Sequence, residues 1–395
     1  MQNIYKIFLI TLVLLFFNKL YGKDVPVIVI APGKSIQSLS TVGTSVTVIS
    51  GDTIRKSNEI FLGDIIDGNS TSTNTFQMGG SGTNMGIQLR GLEKRYSTVY
   101  IDGVKMLDPS ASDGSFYMES IMKSSIDRVE ILRGTQSSLY GSNAIGGTIH
   151  IFTKKGKEGN NQNFEIENGS NNTKNLSYSI DGAGDKFQYY LGFNTLTTHG
   201  ISAMNNDDED DEYRNDGIIG NMGYRINDNL KLENSFRLTD SFLEYDTVSS
   251  SGADNDHTDN LEGSYTLKLI HEKNKFKNSL IFNKFHIERN TENSSAVRSN
   301  YFGYRDSINY LGEYNFNLDN KIVYGIGAEL DESRYDISWT TVKNRVHNEN
   351  TISQYFDYQF RPLQNLYSTI GFRNDNHSTV GSSNSGRVTL AYQLD

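Results

Sequence analysis

The stretch LKLENSFRL, residues 230–238, decides the fold class of the second part of this 395-residue chain. Its leucines and phenylalanine fall on alternate positions, and charged or polar side chains fill most of the positions between them. Successive side chains of a strand point to opposite faces, whereas helical neighbours recur every three or four residues. The stretch therefore predicts a β-strand with one apolar face and one polar face.

The same alternation recurs along residues 159–395, in about 12 strand-like segments of roughly 9–14 residues each. Short turns such as 227–229 and 318–320 alternate with long polar links such as 205–213 and 249–258. One apolar face, one polar face and this alternation of link lengths are typical of an antiparallel transmembrane β-barrel. A soluble β-sandwich is the alternative, but its strands are usually nearer 5–6 residues long.

Charge divides the chain near residue 159. Residues 23–158 carry 14 basic and 13 acidic side chains, whereas residues 159–395 carry 21 basic and 34 acidic ones. The short apolar runs, turn signals and helix signals of the first part predict a compact α+β domain over residues 33–158. The acidity of the second part argues against a partner nucleic acid.

The composition also limits the chemistry. The chain has no cysteine, which excludes disulfides, thiolate catalysis and cysteine-bound metal. Its seven histidines are scattered without metal-ligand spacing, and its Gly325-Ile326-Gly327 lies inside a predicted strand rather than before a helix. We therefore expect no enzyme activity and no redox or organic cofactor.

Residues 1–22 predict a secretory signal peptide. Lys6 precedes an apolar run from Ile7 to Phe17 that only Thr11 interrupts, and the small residue Gly22 follows. A membrane-spanning helix needs about 20 apolar residues, so this run is too short to be one. A buried helix at the N-terminus is the alternative.

Four stretches of the first domain together resemble the plug of TonB-dependent outer-membrane receptors. They are QLRG at 88–91, VYIDGV at 99–104, IDRVEILRG at 126–134 and LYGSNAIGGTI at 139–149. The resemblance implies a plug over residues 33–158 within a barrel that begins at residue 159. It also implies the outer membrane of a Gram-negative bacterium, contact with its lipid, and active import rather than catalysis.

The plug stretches are rich in charge, which a polar barrel interior would accommodate. Arg90, Arg128, Glu130 and Arg133 could make charge-assisted hydrogen bonds with one another or with the barrel. Ordinary solvated positions are the alternative, because Arg and Glu are mostly exposed.

The segment 23–32 resembles a Ton box, which implies that it binds a TonB-type energy-transducing protein of the inner membrane. An extended segment of this kind can add as a strand to the sheet edge of a partner. The alternative is a first plug strand that stays packed in place. The residues of this predicted partner site are Val25, Pro26, Val27, Ile28, Val29, Ile30 and Ala31.

Within the family, the chain is most similar to the receptors for vitamin B12 (cobalamin). It shares with them Gly79-Gly80-Ser81-Gly82 before Arg90-Gly91, and acidic outer loops. The resemblance implies cobalamin or a related corrinoid as ligand, with a ferric siderophore or another metal chelate as the alternative. The positions that it implies for ligand contact are Asn84, Gly86, Glu93, Ala111 and Ser112.

The acidic loops also resemble the place where cobalamin receptors hold calcium. Calcium takes 6–8 oxygen ligands, several of them carboxylates. A solvated acidic loop that binds nothing is the alternative. Arg214 stands where the family pattern has an acid. The calcium ligands that the resemblance implies are Glu212, Asp216, Tyr245, Asp246 and Asp259.

Barrel size conflicts with chain length. Plugged barrels of this kind have 22 strands, whereas about 12 are predicted here, and a closed 12-stranded barrel is too narrow for a plug. We therefore expect an incomplete barrel, with this chain as the N-terminal part of a longer protein. A truncated remnant that does not transport is the alternative.

Overall fold

The structure, a computed structural model, describes residues 27–202, 210–246, 256–293, 297–338 and 345–394. Outside the described residues lie the predicted signal peptide, Val25, Pro26 and residues 203–209, which include most of the acidic run 205–212. The described part consists of a mixed α+β plug followed by one large antiparallel sheet.

The plug contains nine short strands and three short helices, joined by turns and 3₁₀ segments. The strands are β1 (Ile28–Val29), β2 (Gln37–Ser38), β3 (Ser45–Ser50), β4 (Thr73–Gln77), β5 (Met85–Leu89), β6 (Ser97–Ile101), β7 (Val104–Lys105), β8 (Ile126–Arg133) and β9 (Gly147–Thr153). The helices are α1 (Gly51–Lys56), α2 (Leu62–Asn69) and α3 (Ser137–Tyr140).

The centre of the plug is a five-stranded sheet in the order β3-β8-β9-β6-β7. Strands β6 and β9 are parallel, and the other neighbours are antiparallel. Asp102 and Gly103 form the predicted hairpin turn between β6 and β7, with φ angles of 47° and 89°. Both angles are positive, as the Asp-Gly signal predicts for such a turn.

Helix α1 has Ser50 as its N-cap, and the Ser50 hydroxyl accepts a hydrogen bond from the Thr53 N–H at 3.2 Å. Asp52 lies inside the first turn, where its carboxylate pairs with Lys56 at 2.6 Å. Serine and aspartate are equally good caps, so residue type alone does not decide between them.

The large sheet has 12 strands, each paired with its sequence neighbours in order. The number of strands confirms the predicted count of about 12. Their lengths of 10 to 19 residues extend beyond the predicted 9–14 residues and exceed the usual length of sandwich strands. They are β10 (Gly159–Asn168), β11 (Lys174–Ala183), β12 (Phe187–Thr198), β13 (Tyr213–Asn227), β14 (Leu230–Glu244), β15 (His257–Lys273), β16 (Phe276–Glu292), β17 (Arg298–Asn315), β18 (Lys321–Ile337), β19 (Arg345–Leu363), β20 (Leu366–His377) and β21 (Gly381–Tyr392).

The sheet is not closed. Within the described residues, β10 pairs only with β11 along its length, and β21 pairs only with β20. The open sheet agrees with the incomplete barrel expected from the strand count.

The two faces of the sheet differ as the alternation predicts. Leu238 is 40 % exposed on the face away from the plug, whereas its neighbour Arg237 is buried and donates hydrogen bonds to Ser120 of the plug. The plug therefore occupies the polar face, and the apolar face is directed outward.

The helices are all short. In the part of the chain that the structure describes, no helix is long and apolar enough to cross a membrane.

The plug and the sheet share one hydrophobic core. Phe285 and Ile287 of β16 pack into the same cluster as the plug residues Val99, Met106 and Phe116. Phe285 is fully buried and its ring meets that of Phe116 edge-on, with centroids 6.4 Å apart. Apolar packing therefore anchors the plug at this point, and two smaller clusters around Tyr213 and Val323 also join the plug to the sheet.

Replacing this anchor should loosen the plug. We expect Phe285→Ala to lower the free energy of plug unfolding by about 3–5 kcal/mol, because it leaves a cavity in the shared core. Urea unfolding of the purified protein, followed by near-ultraviolet circular dichroism, measures the change. Phe282→Ala is the matched control, since Phe282 lies on the same strand but is 38 % exposed on the outward face. Equal losses in both variants would contradict the shared core.

Candidate functional site

The first predicted ligand-contact residues lie on the hairpin formed by β4 and β5. Asn84 is exposed at its tip, and its carbonyl accepts a hydrogen bond from the Met78 N–H at 3.3 Å. Gly86 is buried, and a Cβ placed there would lie 2.5 Å from the Phe76 ring. Asn84 is therefore accessible to a ligand, whereas Gly86 serves the packing of the hairpin.

Two further loops carry the other predicted contacts. Glu93 is exposed and pairs with Arg95 at 2.7 Å. Ser112 is exposed and Ala111 is partly buried in the loop that follows β7. The Lys94 ammonium and the Asp113 carboxylate are 3.0 Å apart, so one ion pair brings these two loops together.

The acids of the second loop are less available than the sequence indicates. Asp108 is buried and pairs with Arg289 of the sheet at 2.9 Å, while the N–H and hydroxyl of Ser110 both donate to its carboxylate. Asp113 is neutralised by Lys94. The loop therefore presents less negative charge to a ligand than its composition predicts.

Glu119, which is not among the predicted site residues, connects the hairpin to the sheet. The Met85 N–H donates to the Glu119 carboxylate at 3.0 Å, and the Tyr213 hydroxyl donates to the Glu119 carbonyl at 3.3 Å. A lone glutamate in a loop has no sequence pattern that would mark this role.

The described part of the predicted Ton box, residues 27–31, is docked in the plug. Strand β1 pairs with β2, and Val29 is fully buried, whereas Val27 and Ile28 are about half exposed at 48 % and 47 %. The docked segment therefore corresponds to the alternative of a packed first strand.

The end of this segment has an unusual set of backbone partners. The N–H groups of Ile30 and Ala31 both donate to one carboxylate oxygen of Glu130, at 3.0 and 2.9 Å. The Tyr140 hydroxyl donates to the Ala31 carbonyl at 2.7 Å. The other Glu130 oxygen accepts a hydrogen bond from the Arg128 Nε at 3.0 Å, which realises one of the charge-assisted contacts predicted for the plug.

An aromatic cluster packs against the Tyr140 ring. The His150 ring stacks on Tyr100 with centroids 4.8 Å apart and lies 4.7 Å from Tyr140. The Tyr100 hydroxyl donates to the Tyr140 carbonyl at 3.3 Å. Burial, together with the positive charge of Lys34, lowers the pKa of His150 to about 3, so the ring is neutral at ordinary pH.

The predicted calcium ligands divide into two groups. Asp216 pairs with Arg214 at 3.5 Å on the outward face of β13, and Asp259 is exposed on β15 opposite Phe242. Glu212, Tyr245 and Asp246 lie instead at the loop end of the strands. There the Glu212 N–H donates to Glu244 and the Ser202 hydroxyl donates to Asp246.

Tyr245 belongs to the inner side, since it packs against a cluster that contains Tyr213 and Leu243. Among the described residues, no group of three or more histidine, aspartate or glutamate side chains is arranged to hold a metal. Most of the acidic run lies outside the described residues. Calcium binding therefore stays a prediction.

A cleft of about 1100 Å³ lies between the plug and the polar face of the sheet. Its plug wall includes Tyr100 and Lys105, and its sheet wall includes Arg305 and Glu329. Lys105 and Glu329 pair across the boundary at 2.8 Å. Charged groups of both signs line the cleft, which suits the passage of a polar solute better than that of an apolar one.

The plug gives the class of the protein. Residues 38–148 match the family model described as "TonB-dependent Receptor Plug Domain". The chain therefore carries a plug of the TonB-dependent receptor family, followed by an antiparallel sheet whose polar face this plug occupies. Receptors of this class are proteins of the Gram-negative outer membrane, and the chain is assigned to that membrane.

Within the class, the chain is similar to curated vitamin B12 transporters. It is 24 % identical over 336 residues to the "Vitamin B12 transporter BtuB" of Photobacterium profundum, which covers 80 % of this chain and 51 % of the relative. It is 25 % identical over 385 residues to the protein of the same name in Vibrio vulnificus, which covers 93 % and 60 %. The chain thus spans about half to three fifths of the length of these relatives.

Solved structures show the same fold at lower identity. The siderophore receptor PirA of Acinetobacter baumannii superposes with a TM-score of 0.73 at 17 % identity, covering 90 % of this chain and 59 % of that one. The ferripyoverdine receptor of Pseudomonas aeruginosa gives 0.75 at 13 %, covering 94 % and 57 %. The fold is therefore shared with receptors for different ligands.

The neutral His150 should make the plug sensitive to acid. Between pH 3 and 6.5 the unfolded chain binds a proton that the folded chain excludes, so stability falls as the pH falls below 6.5. We expect this group to cost about 2 kcal/mol of plug stability at pH 5. Urea unfolding at pH 7.5 and pH 5 measures the loss, which His150→Phe should reduce because it keeps a stacked ring without a titrating group. An equal loss in the variant would contradict this assignment.

Proposed function

We propose that the chain serves active import across the outer membrane, as the plug-bearing part of a TonB-dependent transporter. The observation that carries the proposal is the docked segment 27–31, which ends on plug contacts while its first residues stay half exposed. A segment held in this way is available for capture from the periplasmic side. Import, rather than catalysis, is the role that we propose for the whole protein.

The partner that we propose is a TonB-type energy-transducing protein. Strand addition needs an extended segment with accessible main-chain groups. Val27 and Ile28 meet that need better than Val29, which is fully buried. Capture would therefore begin at residues 25–28 and would require Val29 to leave its place.

The ligand that we propose is cobalamin or a related corrinoid. Support comes from the curated relatives of this chain, which are named as vitamin B12 transporters. The alternative is a ferric siderophore or another metal chelate, which the names of the structural neighbours favour. Residues 159–395 carry 13 more acidic than basic side chains, and this charge would repel an anionic chelate.

The apical loops would hold this ligand. Asn84, Glu93 and Ser112 are exposed, and the Lys94–Asp113 ion pair keeps two of their loops together. Ion pairing at Asp108 and Asp113 reduces the negative charge there, so the apices suit a bulky ligand with many hydrogen-bonding groups.

Deletion of residues 25–31 should abolish import without abolishing binding. We expect uptake of radiolabelled cobalamin by cells that carry the complete receptor to fall to background, because the partner loses its point of attachment. Equilibrium binding of cobalamin to isolated outer membranes should stay unchanged, and it serves as the control for insertion. Uptake that survives the deletion would favour a passive route, and binding of a ferric siderophore in place of cobalamin would favour the alternative ligand.

Calcium, if bound, should act from the loop end of the strands. We expect Glu212→Ala combined with Asp246→Ala to weaken the apparent calcium affinity at least about tenfold, because two carboxylate ligands are lost. Cobalamin binding measured over a series of free calcium concentrations reports this affinity. Asp319→Ala is the control, since Asp319 is an exposed acid in the turn between β17 and β18. Binding that is equal with and without a chelator would count against the calcium site.

A further inference from the structure

Glu130 is a fully buried carboxylate in the middle of β8. An ionised carboxylate in such a place must be paired or hydrogen-bonded, because its desolvation is otherwise very costly. Arg128 supplies one partner, with its Nε 3.0 Å from one oxygen. The second oxygen accepts hydrogen bonds from the N–H groups of Ile30 and Ala31.

Those two donors belong to the last residues of the predicted Ton box. If the segment leaves, the second oxygen of Glu130 loses both hydrogen bonds while the carboxylate stays within the plug. The same departure takes the Ala31 carbonyl away from the Tyr140 hydroxyl. Undocking therefore breaks three hydrogen bonds at one point, two of which are charge-assisted and so stronger than neutral ones.

We propose that Glu130 and Tyr140 form a backbone clamp that sets how readily the Ton-box segment undocks. The clamp holds main-chain atoms, so it acts on the position of residues 30–31 whatever their side chains. Both groups are positioning residues, since they act on the segment rather than on ligand or partner. The inference rests on the proposed import function and names the contacts that the partner must overcome.

The surroundings make the clamp rigid. Tyr140 is held from behind by Tyr100 and His150, with ring centroids 5.1 and 4.7 Å away. Glu130 lies in a strand paired on both sides, by β3 and by β9. The clamp therefore stays in place while the segment moves, which is what a reversible docking site requires.

Thiol labelling of Val29 tests the clamp. Residues 1–395 contain no cysteine, so Val29→Cys adds a single thiol to them, and the receptor without this change gives the background labelling. Val29 is completely buried, so a bulky maleimide reaches the new thiol only when the segment undocks. The labelling rate is measured in outer membranes that carry the full receptor. We expect Glu130→Ala to raise the rate at least about tenfold, the effect of losing one hydrogen bond to a charged group.

Two variants that remove less of the clamp should raise the labelling rate by smaller factors. Glu130→Gln keeps an acceptor without the charge, so its rate should lie between those of the parent and Glu130→Ala. Tyr140→Phe removes a single hydroxyl without disturbing the ring cluster and should raise the rate by a smaller factor. Asp127→Asn is the matched control, because it removes an exposed carboxylate from the same strand and should leave the rate unchanged.

A second reporter separates undocking from general loosening. Ile87→Cys on β5 is buried in the plug core, away from the segment, and its labelling should not change in any of these variants. An unchanged rate at Val29→Cys in both Glu130→Ala and Tyr140→Phe would overturn the clamp, and so would equal increases at Ile87→Cys. The labelling needs neither ligand nor partner. If the labelling contradicts the clamp, the uptake measurement still tests import. If the uptake measurement contradicts import, the labelling still tests the clamp.

Discussion

The structure depends on the matching of charges between the plug and the polar face of the sheet. A strand with one outward apolar face must present its polar side chains inward, and those charges need partners once water is excluded. The plug supplies them: Lys105 pairs with Glu329 at 2.8 Å and Lys123 pairs with Glu167 at 2.7 Å. Arg305 of the sheet also donates to the Leu107 carbonyl at 2.6 Å. The boundary is therefore polar, specific and hydrogen-bonded, with Phe285 as an apolar anchor.

A boundary of this kind would suit a plug that moves, as the proposed import requires. If apolar burial alone held the plug, the free energy needed to separate plug and sheet would grow with the buried area. It would not depend on the direction of separation. Hydrogen bonds and ion pairs are directional and can be exchanged for water one at a time. The cleft of about 1100 Å³ along this boundary already places charged side chains of both signs beside open space. The charged boundary thus combines a defined resting position with a modest cost of local rearrangement.

The sequence predicts those features of the fold that depend on local periodicity. The alternation of apolar and polar residues predicts the strands and their number, and the Asp102-Gly103 pair predicts a hairpin. Both signals lie within a few residues of the structure that they predict. Contacts between distant residues have no such signal. Glu130 lies 100 residues from Ile30, and nothing in either stretch indicates that a carboxylate will hold those N–H groups. The same holds for the pairing of Asp108 with Arg289, which makes an apparently acidic loop much less acidic in the fold.

One hairpin links the two ends of the plug. Strands β6 and β7 carry Tyr100, whose hydroxyl supports Tyr140, and then lead directly into the loop of Asp108, which also carries Ser112. Tyr140 in turn holds the Ala31 carbonyl. A displacement of the apical loop would therefore act on the support of the clamp through packed, hydrogen-bonded elements, and packed elements tend to shift between discrete arrangements. Packed contacts between the two ends of the plug become an energetic coupling only where a ligand binds one of these arrangements more tightly than the other. The clamp is the place where such a preference would act, because residues 30–31 are held there by three hydrogen bonds to two side chains.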